Sequence, residues 1–190
     1  MARWKGTLPA MVATEPASAI VVRVPVSRAL ERSRRQWDRA AGVGVPAHVT
    51  ILFPFLPVSR LGPAVRAELA AIAAAHAPFD VRFRRVGRFP GVVYLMPEPS
   101  GPFSRLTEAV VARYPDFPPY GGAFDEVIPH LTIAESDDGP LGEVAEHVRT
   151  ALPFERRVSA LELIVEGGDG RWRTRWRVPL LERAGLPVRP

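Results

Sequence analysis

The sequence contains no cysteine, so it forms no disulfide bond and no thiolate metal site. It also lacks any apolar run approaching the roughly 20 residues of a membrane-spanning helix. The first 19 residues carry basic side chains, but prolines interrupt the short apolar stretch that follows them. We therefore expect no signal peptide and no membrane segment, and we predict a cytoplasmic protein.

The composition that remains is that of an ordinary globular chain. Of the 190 residues, 47% are hydrophobic and 24% are charged, which predicts one domain or two small lobes folded as a unit. The net charge of +5 suits an anionic partner such as RNA or a nucleotide. Because Lys5 is the single lysine among 25 basic residues, biased genomic base composition explains this charge equally well.

The pattern of apolar and polar residues predicts strands and helices in two similar halves. The predicted strands are 19–24, 48–55, 79–89, 92–96, 130–134, 158–166 and 171–180, and the predicted helices are 27–39, 63–76, 102–114 and 141–152. In the first helix Ser27 is the cap, Leu30 and Trp37 form the apolar side, and the arginines lie outside. Residues 1–16 are predicted as an irregular leader, 17–181 as a single bilobal domain and 182–190 as a C-terminal tail.

Each half contains a strand with the pattern His-x-Thr: His48-Val49-Thr50 and His130-Leu131-Thr132. Residues i and i+2 of a strand share one face, so each histidine lies beside its threonine while the intervening residue packs behind them. One such motif is common in structural strands. Two copies in matching contexts predict a single active site built from two facing lobes.

These residue types fit acid–base chemistry at a phosphoester. Histidine has an unperturbed pKa near 6.5 and exchanges protons at neutral pH, so a pair of them supplies both a general acid and a general base. Threonine hydroxyls donate hydrogen bonds to non-bridging phosphate oxygens, where charge gathers in the transition state. We therefore predict catalytic roles for His48 and His130 and phosphate-binding roles for Thr50 and Thr132.

The paired motifs resemble the two-histidine (2H) phosphoesterase superfamily, which includes bacterial RNA 2′,3′-cyclic phosphodiesterases first described as 2′-5′ RNA ligases. The segments 48–55 and 129–134 carry this resemblance, which extends over residues 18–180. It implies a bilobal α+β fold with pseudo-two-fold symmetry, two antiparallel sheets around a central cleft, and helices outside. It also implies that His130 acts as the base and His48 as the acid; the residues alone are symmetric in this respect. Where many members have a glycine-containing turn, this chain has Phe53-Pro54-Phe55.

The predicted function is metal-independent hydrolysis of a 2′,3′-cyclic phosphate on an RNA terminus or a small nucleotide, without a cofactor or a metal, by a monomer. Two alternatives remain open. One is a non-catalytic module that binds RNA or a nucleotide. The other is an enzyme of the same fold that acts on a different phosphodiester, such as a 2′-5′ oligonucleotide or an ADP-ribose cyclic phosphate.

Two aromatic residues are predicted to contact the substrate by stacking on a base, Tyr120 and Phe55, while Phe53 is predicted to lie in the core. Trp172 and Trp176 are four residues apart in a predicted strand, which places both on one core-facing side. A basic strand edge, interpreted as a solvated face or alternatively as a guide for an RNA backbone, consists of Arg82, Arg84, Arg85 and Arg88.

Overall fold

A computed structural model describes residues 15–182, so the predicted leader and tail lie almost entirely outside the described residues. The described residues form eight strands and five α-helices. The strands are β1 (Ser18–Arg23), β2 (His48–Leu52), β3 (Phe79–Phe89), β4 (Val92–Glu98), β5 (Leu131–Glu135), β6 (Phe154–Val158), β7 (Ala160–Glu166) and β8 (Trp172–Pro179). The helices are α1 (Arg28–Trp37), α2 (Arg39–Gly42), α3 (Pro63–Ala74), α4 (Gly101–Arg113) and α5 (Leu141–Arg149).

The strands form two antiparallel four-stranded sheets, in the orders β2-β1-β7-β8 and β5-β4-β3-β6. This is the predicted α+β fold with two sheets. Each motif strand lies at one edge of its sheet, and the units β1-α1-β2 and β4-α4-β5 are equivalent. The strand β6 is absent from the sequence prediction, whose strand begins only at its last residue, Val158, although the residues of β6 alternate between half-buried and exposed.

The two halves of the chain do not coincide with the two lobes. The hairpin β3-β4 follows the first motif in sequence but pairs with the second motif strand, β5. The hairpin β7-β8 follows the second motif but pairs with β1, next to the first motif strand. The helices cross in the same way, since α1 packs against β5 and α4 packs against β2. This exchange ties the lobes into one unit.

One continuous apolar core joins both sheets to the helices. The intervening residues of the motif strands belong to it, as strand alternation predicts: Val49, Ile51, Leu131 and Ile133 are at most 1% exposed. A second, smaller cluster on the other face of the first sheet contains Ala19, Val21, Val45 and Ile164. The helices thus cover one face of each sheet, while the polar side chains of the motifs project from the opposite face.

The prediction that Trp172 and Trp176 share one face is wrong. Trp176 packs against the main core, whereas Trp172 packs against the smaller cluster on the other face. The register between β7 and β8 shifts between Leu163 and Ile164, where a β-bulge adds a residue to β8. An extra residue reverses the alternation beyond it, so two residues four positions apart point to opposite sides.

Candidate active site

The two motifs meet where the sheets adjoin. The edge strands β2 and β5 contact each other, and the side chains of His48, Thr50, His130 and Thr132 are all half-buried on them or at their ends. The two imidazoles are close enough for a positive charge on His130 to lower the pKa of His48. The structure therefore brings together the four residues that the sequence singled out.

Both imidazoles are oriented by a hydrogen bond to the backbone carbonyl two residues earlier. Nδ1 of His48 lies 2.7 Å from the carbonyl oxygen of Pro46, and Nδ1 of His130 lies 2.7 Å from that of Ile128. Because a carbonyl oxygen only accepts hydrogen bonds, Nδ1 carries the proton in each ring. In a neutral ring Nε2 then presents its lone pair, which is the arrangement that a general base requires.

The first histidine has a polar neighbourhood. Nε2 of His48 lies 3.1 Å from Oγ1 of Thr50, which also interacts with the hydroxyl of Tyr120. Burial lowers the pKa of His48 to about 4, and the charge of Arg34 acts in the same direction, while the hydrogen bond to Pro46 opposes both. His48 is consequently uncharged at neutral pH in the free protein.

The second histidine has an aromatic neighbourhood. The ring of His130 packs edge-on against Phe89 and Tyr94, with centroid distances of 5.3 and 5.4 Å. Phe89 and Tyr94 stack on each other at 4.2 Å. The Tyr94 ring lies across Gly87, where an added Cβ would approach it to 2.3 Å. Burial also lowers the pKa of His130.

The two phenylalanines of the segment after β2 have exchanged the places that the sequence predicted. Phe55 is 4% exposed in the main core, edge-on to Tyr114 and Phe117, so the prediction that it contacts the substrate is wrong. Phe53 is half-buried and packs edge-on against Trp172 on the sheet face that carries His48. The register shift opposite Ile20 and Val21 marks a β-bulge in β2, which puts Phe53 on the face that carries His48. Because β2 ends at Leu52, strand alternation does not determine the position of Phe55.

Tyr120 lies beside the first motif, as a residue of the loop that joins α4 to β5. Its backbone N–H donates to the carbonyl oxygen of Phe53, and its φ of 53° is in the left-handed region, which non-glycine residues seldom adopt. Burial raises the pKa of its hydroxyl, and the interaction with Thr50 opposes that shift. The loop therefore presents Tyr120 to the junction between the two strands.

Arg34 is a residue of the site that sequence reasoning missed. The prediction placed the arginines of α1 outside, but Arg34 is 1% exposed and its charge reaches His48. Its position in the sequence indicates burial, because Arg34 follows Leu30 by four residues and precedes Trp37 by three. That spacing puts all three on one face of a helix. An arginine on an apolar face indicates a buried ion pair.

On the predicted basic edge, Arg82 pairs with Glu155 and Arg85 pairs with Glu98. Both interpretations of this edge, a solvated face and a guide for an RNA backbone, stay predictions. Within residues 15–182, no three His, Asp or Glu side chains are grouped as metal ligands. Within the same range, no helix is long and apolar enough to cross a membrane.

Several solved structures share this fold. TT0787 of Thermus thermophilus is 21% identical, with a TM-score of 0.59 over 88% of this chain and 99% of that chain. E. coli LigT crystallised with NADP+ is 17% identical, with a TM-score of 0.54 over 89% of this chain and 100% of that chain. E. coli LigT crystallised with 3′-AMP is also 17% identical, with a TM-score of 0.52 over 88% of this chain and 100% of that chain. At these identities the likeness establishes the fold.

Among curated proteins none matches the sequence. A family model described as the 2′-5′ RNA ligase superfamily matches residues 22–170, which is most of the chain and includes both motifs. The chain therefore belongs to the 2′-5′ RNA ligase superfamily of two-histidine phosphoesterases.

Proposed function

We propose that this protein is a metal-independent cyclic phosphodiesterase that hydrolyses a 2′,3′-cyclic phosphate on an RNA terminus or a small nucleotide. The observation that carries the proposal is the pair of imidazoles on adjoining edge strands, each held through Nδ1 and each followed by a threonine. Two imidazoles supply both proton transfers of the reaction. The crystal structures of LigT with 3′-AMP and with NADP+ support a nucleotide as the ligand of this fold.

In the proposed reaction Nε2 of His130 accepts a proton from water while the water oxygen forms a bond to phosphorus. The bond between phosphorus and one ribose oxygen breaks, and Nε2 of His48 gives its proton to that oxygen. The product is a phosphomonoester with a free neighbouring hydroxyl. The choice of His130 as base follows the family resemblance, since each ring has the geometry for either role.

The low pKa of His48 is compatible with an acid role once substrate is bound. An anion within about 4–6 Å of an imidazole favours its charged form. The entering phosphate therefore raises the pKa of His48 from about 4 and allows the ring to take up the proton that it later donates.

Thr50 and Thr132 are proposed to donate hydrogen bonds to the two non-bridging oxygens of the phosphate. Tyr120 is proposed to contact the substrate next to Thr50, with its hydroxyl as the contacting group. Phe55 is not proposed to stack on a base, because Tyr114 and Phe117 enclose its ring. A monomeric state and a cytoplasmic location stay predictions.

The test is hydrolysis of 2′,3′-cyclic nucleotides by the wild type, by His48→Ala and by His130→Ala, with His147→Ala on the exposed side of α5 as the control. Each motif variant is expected to lose about 10²–10⁴-fold in kcat while its circular dichroism is unchanged. The control is expected to keep full activity. Full activity in either motif variant contradicts the proposal.

A substrate panel separates the remaining functions. A wild type that cleaves a 2′-5′-linked dinucleotide or an ADP-ribose cyclic phosphate, but no 2′,3′-cyclic nucleotide, has the same chemistry on another substrate. A wild type that binds nucleotides without cleaving any of them is a binding module, and the proposed catalysis is then wrong.

A further inference from the structure

Behind the first motif lies a buried ion pair. Arg34 is 1% exposed and Asp38 is 4% exposed, and Nη2 of Arg34 donates to Oδ2 of Asp38 at 2.8 Å. Nη1 of Arg34 donates to the partly exposed Glu31 at 3.1 Å. Within residues 15–182 the Nε of Arg34 has no hydrogen-bond partner. An unsatisfied buried donor destabilises the fold, and apolar residues often replace buried ion pairs without loss, so stability alone does not explain this arginine.

The pair closes a ring of hydrogen bonds around the segment that leads to His48. Nη2 of Arg34 also donates to the carbonyl oxygen of Val45 at 3.3 Å. The N–H of Val45 donates to the carbonyl of Ala40 at 3.0 Å, and the N–H of Ala40 donates to Oδ1 of Asp38 at 3.0 Å. The next residue, Pro46, supplies the carbonyl that holds Nδ1 of His48. The ring therefore anchors Val45, the residue directly before the Pro46 carbonyl that orients the imidazole.

Charge links the same arginine to the same histidine. Among the groups around His48, the charges of Arg34 and His130 lower its pKa. Two further titratable groups lie near His48: Tyr120, through Thr50, and Arg23, which is opposite His48 in the ladder between β1 and β2. For His130, burial lowers the pKa and the hydrogen bond to Ile128 opposes that shift.

We propose that Arg34, held by Asp38, is a positioning residue for His48: it anchors Val45, next to the Pro46 carbonyl that holds the ring, and keeps a positive charge near that ring. Arg34 itself does not touch the substrate. The consequence for catalysis rests on the proposed function, whereas the effect on the ring belongs to the free protein. His48 is thereby restricted to the form with Nδ1 protonated and Nε2 unprotonated, until an anion arrives.

The test is the nitrogen chemical shifts and titration of both imidazoles in the substrate-free protein, from pH 3 to pH 8. In the wild type we expect His48 in the form with Nδ1 protonated. Arg34→Met is expected to give a mixture of the two neutral forms of His48 and to raise its pKa by about half a unit to one unit. Asp38→Asn keeps the acceptor for Ala40 and removes the negative charge, so the pKa of His48 is expected to fall.

Arg35→Met is the matched control, because Arg35 occupies the next position of α1 with its side chain 74% exposed. It is expected to leave both imidazoles unchanged, and none of the three variants is expected to move the pKa of His130 by more than about a fifth of the change at His48. In the cyclic phosphodiesterase assay Arg34→Met is expected to lower kcat on the order of 10-fold with little change in KM.

Unchanged shifts and pKa of His48 in a folded Arg34→Met variant overturn the proposal. If Arg34→Met does not fold, Arg34→Lys and Asp38→Asn are measured instead. The lysine keeps the positive charge, and the asparagine is expected to lower the pKa of His48. An unchanged His48 in Asp38→Asn is then the contradicting result. Because these readouts need no substrate, their failure is distinct from failure of the proposed function, which the motif variants report.

Discussion

The two motif strands hold their histidines in the same way, but the rings have different surroundings. In both, Nδ1 lies 2.7 Å from the carbonyl oxygen two residues earlier. His48 then contacts the hydroxyl of Thr50 and feels the charge of the buried Arg34, while His130 packs edge-on with Phe89 and Tyr94. The duplicated backbone supplies the geometry twice, and the side chains around it distinguish the two halves.

Under the proposed function, this difference between the two rings has a chemical consequence. Two imidazoles in identical surroundings would titrate alike, whereas an acid and a base acting together need opposite protonation states. A positive charge behind His48 makes its protonation depend on an anion in front of it. The aromatic wall of His130 holds no charge, so that ring responds mainly to its burial.

The largest effect in this comparison is expected from the threonines. Thr50→Val and Thr132→Val keep the shape of the side chain and remove the hydroxyl, so each is expected to lower kcat/KM about 10- to 100-fold through loss of a hydrogen bond to a charged oxygen. Thr50→Val is expected to lower kcat/KM more than Thr132→Val, because Thr50 also contacts Nε2 of His48 and Tyr120. Steady-state kinetics on a 2′,3′-cyclic nucleotide measures both. Equal losses would show that the extra contacts of Thr50 play no part.

The aromatic wall is tested by Gly87→Ala. The added Cβ would lie 2.3 Å from the Tyr94 ring, which is stacked on Phe89 and cannot move freely. Overpacking of this kind lowers the free energy of unfolding by about 1–3 kcal/mol. We also expect a lower kcat, since His130 rests on the displaced ring. Urea denaturation and kinetics measure these effects.

Gly142→Ala is the control for that substitution, because no atom lies within 4 Å of the Cβ it adds in α5. It is expected to leave kcat unchanged and to keep or slightly raise stability, since alanine favours a helix. A Gly87→Ala variant as stable and active as Gly142→Ala would show that the wall does not position His130.

Acid is expected to destabilise the protein partly through the motif histidines. The pKa of His48 is about 4 when folded and 6.5 when unfolded, so the unfolded chain binds more protons in the window between them. The free energy of unfolding therefore falls as pH decreases from 7 to 5, by about 1–2 kcal/mol from this group. In His48→Gln this part of the pH dependence disappears, while His147→Gln keeps it. Urea denaturation at both pH values provides the comparison, and equal slopes in all three proteins would contradict the buried, neutral His48.

The smallest effect is expected from Tyr120→Phe, which removes one hydroxyl from the side of the first motif. We expect a rise in KM of about three- to tenfold, equivalent to about one neutral hydrogen bond, with kcat nearly unchanged. A loss in kcat instead would give the tyrosine a part in the chemical step. No change in either constant would remove Tyr120 from the binding surface.

The sequence was informative where strand alternation is regular. It places His48 with Thr50 and His130 with Thr132, and it buries Val49 and Leu131 behind them, because those short strands have no irregularity within the motif. The duplication of the motif predicted that both strands share one site, and the family resemblance added the two sheets around a central cleft. The placement of these side chains depends only on local strand alternation, and no long-range contact is needed to predict it.

The errors lie where a local irregularity or a distant partner decides. Bulges in β8 and near the end of β2 reverse the alternation, which accounts for the positions of Trp172 and Phe53. Phe55 lies beyond the end of β2 at Leu52, where strand alternation no longer applies. A bulge leaves no mark in the pattern of apolar residues. The exchange of hairpins between the lobes depends on long-range strand pairing. The order of residues alone does not show with which strand each hairpin pairs.

The most direct test of the central claim is an NMR titration of the wild-type protein with a nucleoside 2′-monophosphate and, separately, a 3′-monophosphate, the two isomers between which the proposed reaction does not choose. If the two motifs form one phosphate site, the imidazole signals of His48 and His130 shift together, with one dissociation constant and one nucleotide bound per chain. Both pKa values are expected to rise as the anion binds. A shift of one ring alone, or different dissociation constants at the two rings in one titration, would contradict a single site shared by the two motifs.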